Sequence, residues 1–224
     1  MQTISIRKKS HAGRRPKALR ENTGTRAAIL AAARSVFARR GFEGTSNREV
    51  AEAAGVNNAM IYYHFKDKKE LYRAVLADSF AAWDRIWESE IFASGASTKE
   101  KIRKYIEELI RFQHGNEDLR RILSMELACC SKSSKWLADN LFSHSYRKLA
   151  DILKQGIRSG EIKKIDVTTA VATLTGMIIH SFILRPISTY LGGKELDLSV
   201  SRFGAFVTEL FFEGLKADGK PNAR

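Results

Sequence analysis

Cysteine and proline are scarce in this chain: two cysteines, adjacent at Cys129 and Cys130, and three prolines, Pro16, Pro186 and Pro221, among 224 residues. Two neighbouring thiols make no disulfide framework and suit a reducing cytosol. With so few prolines, and with apolar residues recurring at 3.6-residue spacing almost throughout, the chain reads as all-α; neither an alternating strand pattern nor an internal repeat is present. His11, His64, His114, His144 and His180 share no metal-ligand spacing, and there is no glycine-rich phosphate loop. On a helix Cys129 and Cys130 would point about 100° apart, and no acid or histidine constellation accompanies them. The expectation is therefore no metal, no cofactor and no enzymatic activity, with thiol oxidation as a redox sensor the other use open to the cysteines. No secretory leader fits the N-terminus. The longest apolar run, AVATLTGMIIHSFIL over 170–184, contains His180 and is short of the roughly 20 residues a bilayer requires, so a soluble, cytoplasmic protein without a membrane partner is expected.

What the chain has in excess is positive charge, +13 overall. Residues 1–24 carry Arg7, Lys8, Lys9, Arg14, Arg15, Lys17 and Arg20 against Glu21 alone. So basic and apolar-poor a segment reads as a disordered arm that seeks polyanions, DNA included. Beyond it the composition, 44% hydrophobic, supports a real core. A small helical domain over 25–70, a larger one over 71–216 and a polar tail over 217–224 are expected.

The helix starts are written in caps. A first helix over 25–40 has Ile29, Ala33, Val36 and Phe37 on one face, with Gly41 just past its end. Ser46 and Glu49 form a capping box for a second helix, which Gly55 ends. Asn57 caps a third through Phe65, and Asp67 with Glu70 opens a fourth, expected to run to Phe92 and span about 39 Å. Later helices are expected over 97–114, 117–131, 135–159, 166–184 and from Asp197 onward.

Counting from Asn47 as position one, Ala51 stands at five, Gly55 at nine and Ile61 at fifteen. A helix-turn-helix requires those types at that spacing: a small residue where two helices touch, a glycine in the turn and a branched apolar anchor on the second helix. In that arrangement the first turn of the third helix, Asn58, Ala59 and Met60, with Tyr63 one turn on, faces base edges in the major groove. Asn58 suits adenine, and Ala59 and Met60 suit a thymine methyl.

Residues 25–72, with the segment Y-Y-H-F-K at 62–66 and the stretch F-x-x-x-G-F-x-x-T at 37–45, closely resemble the DNA-binding domain of the tetracycline-repressor (TetR) family. The resemblance implies a dimeric bacterial repressor with a ligand-binding and dimerisation domain after the head. It also implies that Arg48 reaches a base and that Asn47, Tyr62, His64 and Lys68 contact phosphates. By the same resemblance the last two helices, with small residues at Gly176 and Gly204, join their copies in a homodimer on a pseudo-palindromic double-stranded DNA operator. A small-molecule effector would tilt the fourth helix and release the DNA. Phe112, Met125, Cys129, Phe142, Tyr146, Met177 and His180 are the candidate effector-binding residues, ordinary core packing being the other reading of each. His180 stands out as polar within an apolar run, unless a neighbouring carbonyl or Glu126 satisfies it. A DNA-binding architectural or cell-cycle factor of the same fold, without an inducer, is the alternative function.

Overall fold

The caps place the N-terminal helices. A computed structural model describes residues 17–128 and 134–215; most of the basic arm, Cys129, Cys130 and the tail lie outside the described residues. Helix α1 (Lys17–Arg40) starts earlier than residue 25, because Ala18, Leu19, Arg20 and Glu21 are strong helix formers. In α2 (Asn47–Ala54) the Ser46 hydroxyl accepts the Glu49 amide at 3.2 Å, while the Glu49 carboxylate accepts the Ser46 amide at 3.3 Å. Gly55, at φ 66°, turns the chain left-handed, a conformation that would strain any side chain. Asn57 then caps α3 (Asn58–His64), its Oδ1 accepting the Ala59 amide at 2.9 Å. Ile29, Ala33, Phe37, Val50, Ala51, Ile61, Phe65 and Leu71 close a small core between these helices and α4 (Lys68–Asp84).

Helix α4 stops at Asp84 and not at Phe92. A 3-10 turn (Arg85–Glu88) follows, extended Ser89 breaks the path, and α5 (Glu90–Ala93) is a single turn. Tertiary contacts favour the break. The indoles of Trp83 and Trp87 both donate to the Ser145 hydroxyl, at 2.7 and 2.9 Å, while Trp87 stacks on Tyr105 and meets Phe92.

The larger domain is built round α6 (Thr98–Gly115), opened by the Ser97–Glu100 capping box and burying Ile102, Tyr105, Ile106, Leu109 and Ile110. Helix α7 (Glu117–Ala128) runs back against α1. The segment expected as one helix from 135 is α8 (Ser134–Leu137), a π turn (Ala138–Phe142) and α9 (Ser143–Ser159). Helix α9 approaches α6 so closely that a Cβ on Gly156 would fall 2.6 Å from the Thr98 hydroxyl. Helix α10 (Val167–Gly192) continues beyond residue 184 and through Pro186. The Arg185–Glu195 ion pair at 2.7 Å, and a bond from the Leu196 amide to the Ser188 hydroxyl at 3.0 Å, fasten the following turn against it. Asp197 accepts the Ser199 amide at 3.0 Å just ahead of α11 (Val200–Leu215), which lies on α6. No strand occurs among the described residues.

Candidate nucleic-acid interface

Ile61 and Phe65 anchor α3 in the head core, at 0% and 2% exposure, so the rest of this short helix must turn outward. Asn58 and Ala59 are exposed, and so are both tyrosines, Tyr62 at 56% and Tyr63 at 69%. Two neighbouring aromatic rings on so small a domain form an apolar surface with hydrogen-bonding tips, suited to a partner that is apolar in places and polar in others.

Two polar atoms near them are unpaired. One end of the Asn47 amide, Oδ1, and the Nε2 of His64 are shielded from solvent and have no hydrogen-bond partner. Buried polar groups are ordinarily paired, so these two atoms depart from the rule at the start of α2 and the end of α3. Arg48, its side chain 84% exposed, pairs with Glu52 at 3.0 Å on the same outer face of α2. An ion pair that exposed is worth little and is readily exchanged for a base edge or a phosphate.

Met60 and Lys68 are less exposed than Asn58, Ala59 and the two tyrosines. Met60 is partly buried against the head core, because its helical position falls on the margin of the Ile61 face. Lys68 is engaged inside the protein: its Nζ donates to the carbonyls of Thr45 at 3.0 Å and Glu43 at 3.4 Å and lies 4.5 Å from the centre of the Phe42 ring. Two of its three donors are thereby used, and the residue ties the α1–α2 loop to the start of α4. Lys66 and Lys69, either side of it, are exposed.

Where the head meets the larger domain, Phe37, Phe42 and Tyr72 form a ring cluster with centroids 5.0 to 6.3 Å apart. The Tyr72 hydroxyl donates to Glu126 of α7 at 3.0 Å. Burial, then the Glu126 charge and this bond, push the Tyr72 phenol far above its usual range, so it remains a donor. This contact was not found from sequence; the only signal was a tyrosine and a glutamate each on an apolar helical stripe.

The expected effector-binding residues do not converge on one cavity. Phe112 and Phe142 both pack on Phe80, with centroids 5.9 and 5.6 Å away, and Phe112 also meets Trp83 at 5.2 Å. Met125 lies beside Gly41 at the head junction, its sulfur 3.7 Å from where a side chain there would begin. Tyr146 is exposed and bonded to Thr168 at 2.9 Å. Met177 and exposed His180 face outward, lining with Gly176, Phe203, Phe206 and Leu210 an open groove of about 620 Å³ on α10 and α11. His180 is therefore no core histidine, and Glu126 bonds Tyr72. Cys129 lies outside the described residues, among which no group of three or more histidine, cysteine or acidic side chains could hold a metal.

A three-helix head of this geometry, joined to a larger helical domain, is that of a helix-turn-helix transcriptional regulator. Residues 29–75 match the profile described as bacterial regulatory proteins, tetR family, and residues 95–182 that of the tetracyclin repressor-like C-terminal domain. The chain belongs to the TetR family of transcriptional regulators. It is 27% identical over 151 residues to the fatty acid metabolism regulator protein of Bacillus subtilis (strain 168), covering 67% of this chain and 77% of that protein. With the regulator RutR of Escherichia coli (strain K12) it shares 37% identity over 97 residues, 42% of this chain and 44% of that one. Among solved structures, the transcriptional regulator FadR from Bacillus subtilis in complex with stearoyl-CoA is similar at a TM-score of 0.66 and 25% identity, over 84% of this chain and 98% of that one.

Proposed function

We propose that this chain is a ligand-responsive repressor that binds a pseudo-palindromic operator as a homodimer and is released by a fatty-acyl compound. The observation that carries the reading is the outward face of α3, where Asn58, Tyr62 and Tyr63 are exposed while Ile61 and Phe65 hold the helix from behind. In the groove Asn58 pairs with adenine, Arg48 leaves Glu52 for guanine, and Ala59 and Tyr63 contact the adjoining base edges. Asn47, Tyr62, His64, Lys66 and Lys69 hold the phosphates and set the register.

The second copy covers the outer face of α10 and α11. Ile183, Ile187, Phe206 and Leu210 are 43% to 60% exposed there, and association would bring two reading heads to roughly one DNA turn apart, about 34 to 36 Å. By length and composition α10 would also cross a bilayer, with 22% of its apolar window buried. Its inner face, however, is committed to the larger domain through Leu174, Ile178 and Phe182, which favours a soluble cytoplasmic dimer. The fatty-acyl assignment rests on the fatty acid metabolism regulator and on the stearoyl-CoA complex of its structural relative.

Release works through α4 and α7. With 17 residues α4 is a lever of about 25 Å, so a tilt of ~5° moves its end by about 2 Å. Because α7 also grips the head, through Glu126 and Met125, a shift of the larger domain reaches α3 along two paths. By reciprocity, the effector weakens operator binding by the factor by which operator weakens effector binding.

Selection from a random DNA pool with the full chain should return inverted half-sites about one turn apart, and stearoyl-CoA should then lower affinity for the selected site at least tenfold. Arg48→Ala combined with Tyr63→Ala should cost about 2 to 4 kcal/mol of specific binding and leave the melting temperature unchanged. Full affinity in that double variant would remove the reading surface assigned here. Intact DNA binding that no acyl compound releases would favour the inducer-free alternative.

A further inference from the structure

Helix α6 carries a lysine where its sequence spacing asks for an apolar residue. Lys101, Tyr105 and Leu109 follow one another at four-residue steps along the buried stripe, and Lys101 is only 6% exposed. Its ammonium makes no hydrogen bond and no ion pair with any described residue. The stem is covered and the ammonium opens on solvent, and its place in the first turns of a helix, near the positive end of the dipole, favours an anion beside it.

Lys101 lines a cleft of about 570 Å³ between the chain after α4, α6 and α9. Lys148 and Arg158 lie on the same cleft, also without ion-pair partners among the described residues, and Trp87 and Phe92 supply an aromatic wall. The single acid there, Asp151, is 3.6 Å from Lys154 of its own helix. Three cations without partners beside an aromatic wall, in a volume suited to a small organic ligand, match one chemistry.

We infer that this cleft is an anion-binding site that takes the carboxylate or phosphate of an amphipathic small molecule on Lys101, Lys148 and Arg158, with the adjoining apolar portion against Trp87 and Phe92. The site deepens the effector reading given above and rests on it for its regulatory meaning, but binding itself requires no DNA. The cleft borders the Ser145 contact of Trp87, so an occupant bears on the junction between α4 and α9.

Isothermal titration calorimetry of the full chain, without DNA, tests the site with sodium decanoate, with decyl phosphate and with decyltrimethylammonium as the cationic control, all below micelle-forming concentrations. Binding of either anion, weakened by added salt, is expected, with none of the cation; which anion binds more tightly tells a carboxylate ligand from a phosphate one. Lys101→Met keeps the aliphatic stem, so the fold and its melting temperature should persist while anion affinity falls at least tenfold. Should that variant fold poorly, Lys148→Ala with Arg158→Ala, both on the open rim, should still lower affinity severalfold. Binding equal for anion and cation, no binding of either anion, or wild-type anion affinity in a folded Lys101→Met or in the rim double variant would overturn the inference. Anion binding that persists while operator recognition fails would instead count against the proposed function.

Discussion

The head and the larger domain use opposite means to position functional surface. In the head, α2 and α3 have only 8 and 7 residues, and each starts at a side-chain cap, so the exposed groups of α3 are set by bonds two to four residues long. In the larger domain, α6, α9 and α10 have 18, 17 and 26 residues, and what they present depends on which face another helix covers. Short capped helices hold a surface rigidly, as groove reading requires. Long helices in face contact can slide or tilt by small amounts, as a ligand switch requires.

The strongest way to break this contrast is to put a charge on the covered face assigned to the dimer. Phe206 is 60% exposed in the single subunit, so Phe206→Glu should hardly affect monomer stability but should weaken dimerisation by roughly 3 kcal/mol or more, which sedimentation equilibrium measures. An unchanged dimer would place the second copy elsewhere. A smaller effect tests the bond between the two regions. Tyr72→Phe deletes a hydrogen bond to a carboxylate and should cost about 1.5 to 3 kcal/mol in denaturant unfolding, while operator affinity changes too because the head loses its hold on α7. If stability falls and operator affinity does not, coupling runs through α4 alone. The smallest is the cap itself: Ser46→Ala should lower stability by about 1 kcal/mol, and hydrogen exchange should rise in α2 and not in α6.

The same contrast explains what was legible in the sequence. Ser46, Asn57 and Asp67 act on partners within a few residues, so the starts of α2, α3 and α4 could be read directly, while α1, which no such cap opens, begins eight residues before its expected start. Lys68 could not be read that way, because the carbonyls it binds are 23 and 25 residues back in the chain. Nor could the end of α4, where the hydroxyl that receives Trp83 and Trp87 is 62 and 58 residues away. For His180 the obstacle was different: an apolar helix reads alike whether its second face meets its own core or an outer surface, and this histidine is on the outer one. Lys101 did leave a signal, a cation in register with Tyr105 and Leu109, and a search for charges on apolar stripes would have found it.

Ser145 accepts from two indoles at once, so both lone pairs of one hydroxyl oxygen are occupied by chromophores from the end of α4 and the turn beyond it. A slip of α9 by about 1 Å would take either bond past its useful length. Indole emission responds to such a loss, so the molecule carries an optical gauge of its own internal movement, readable without any label.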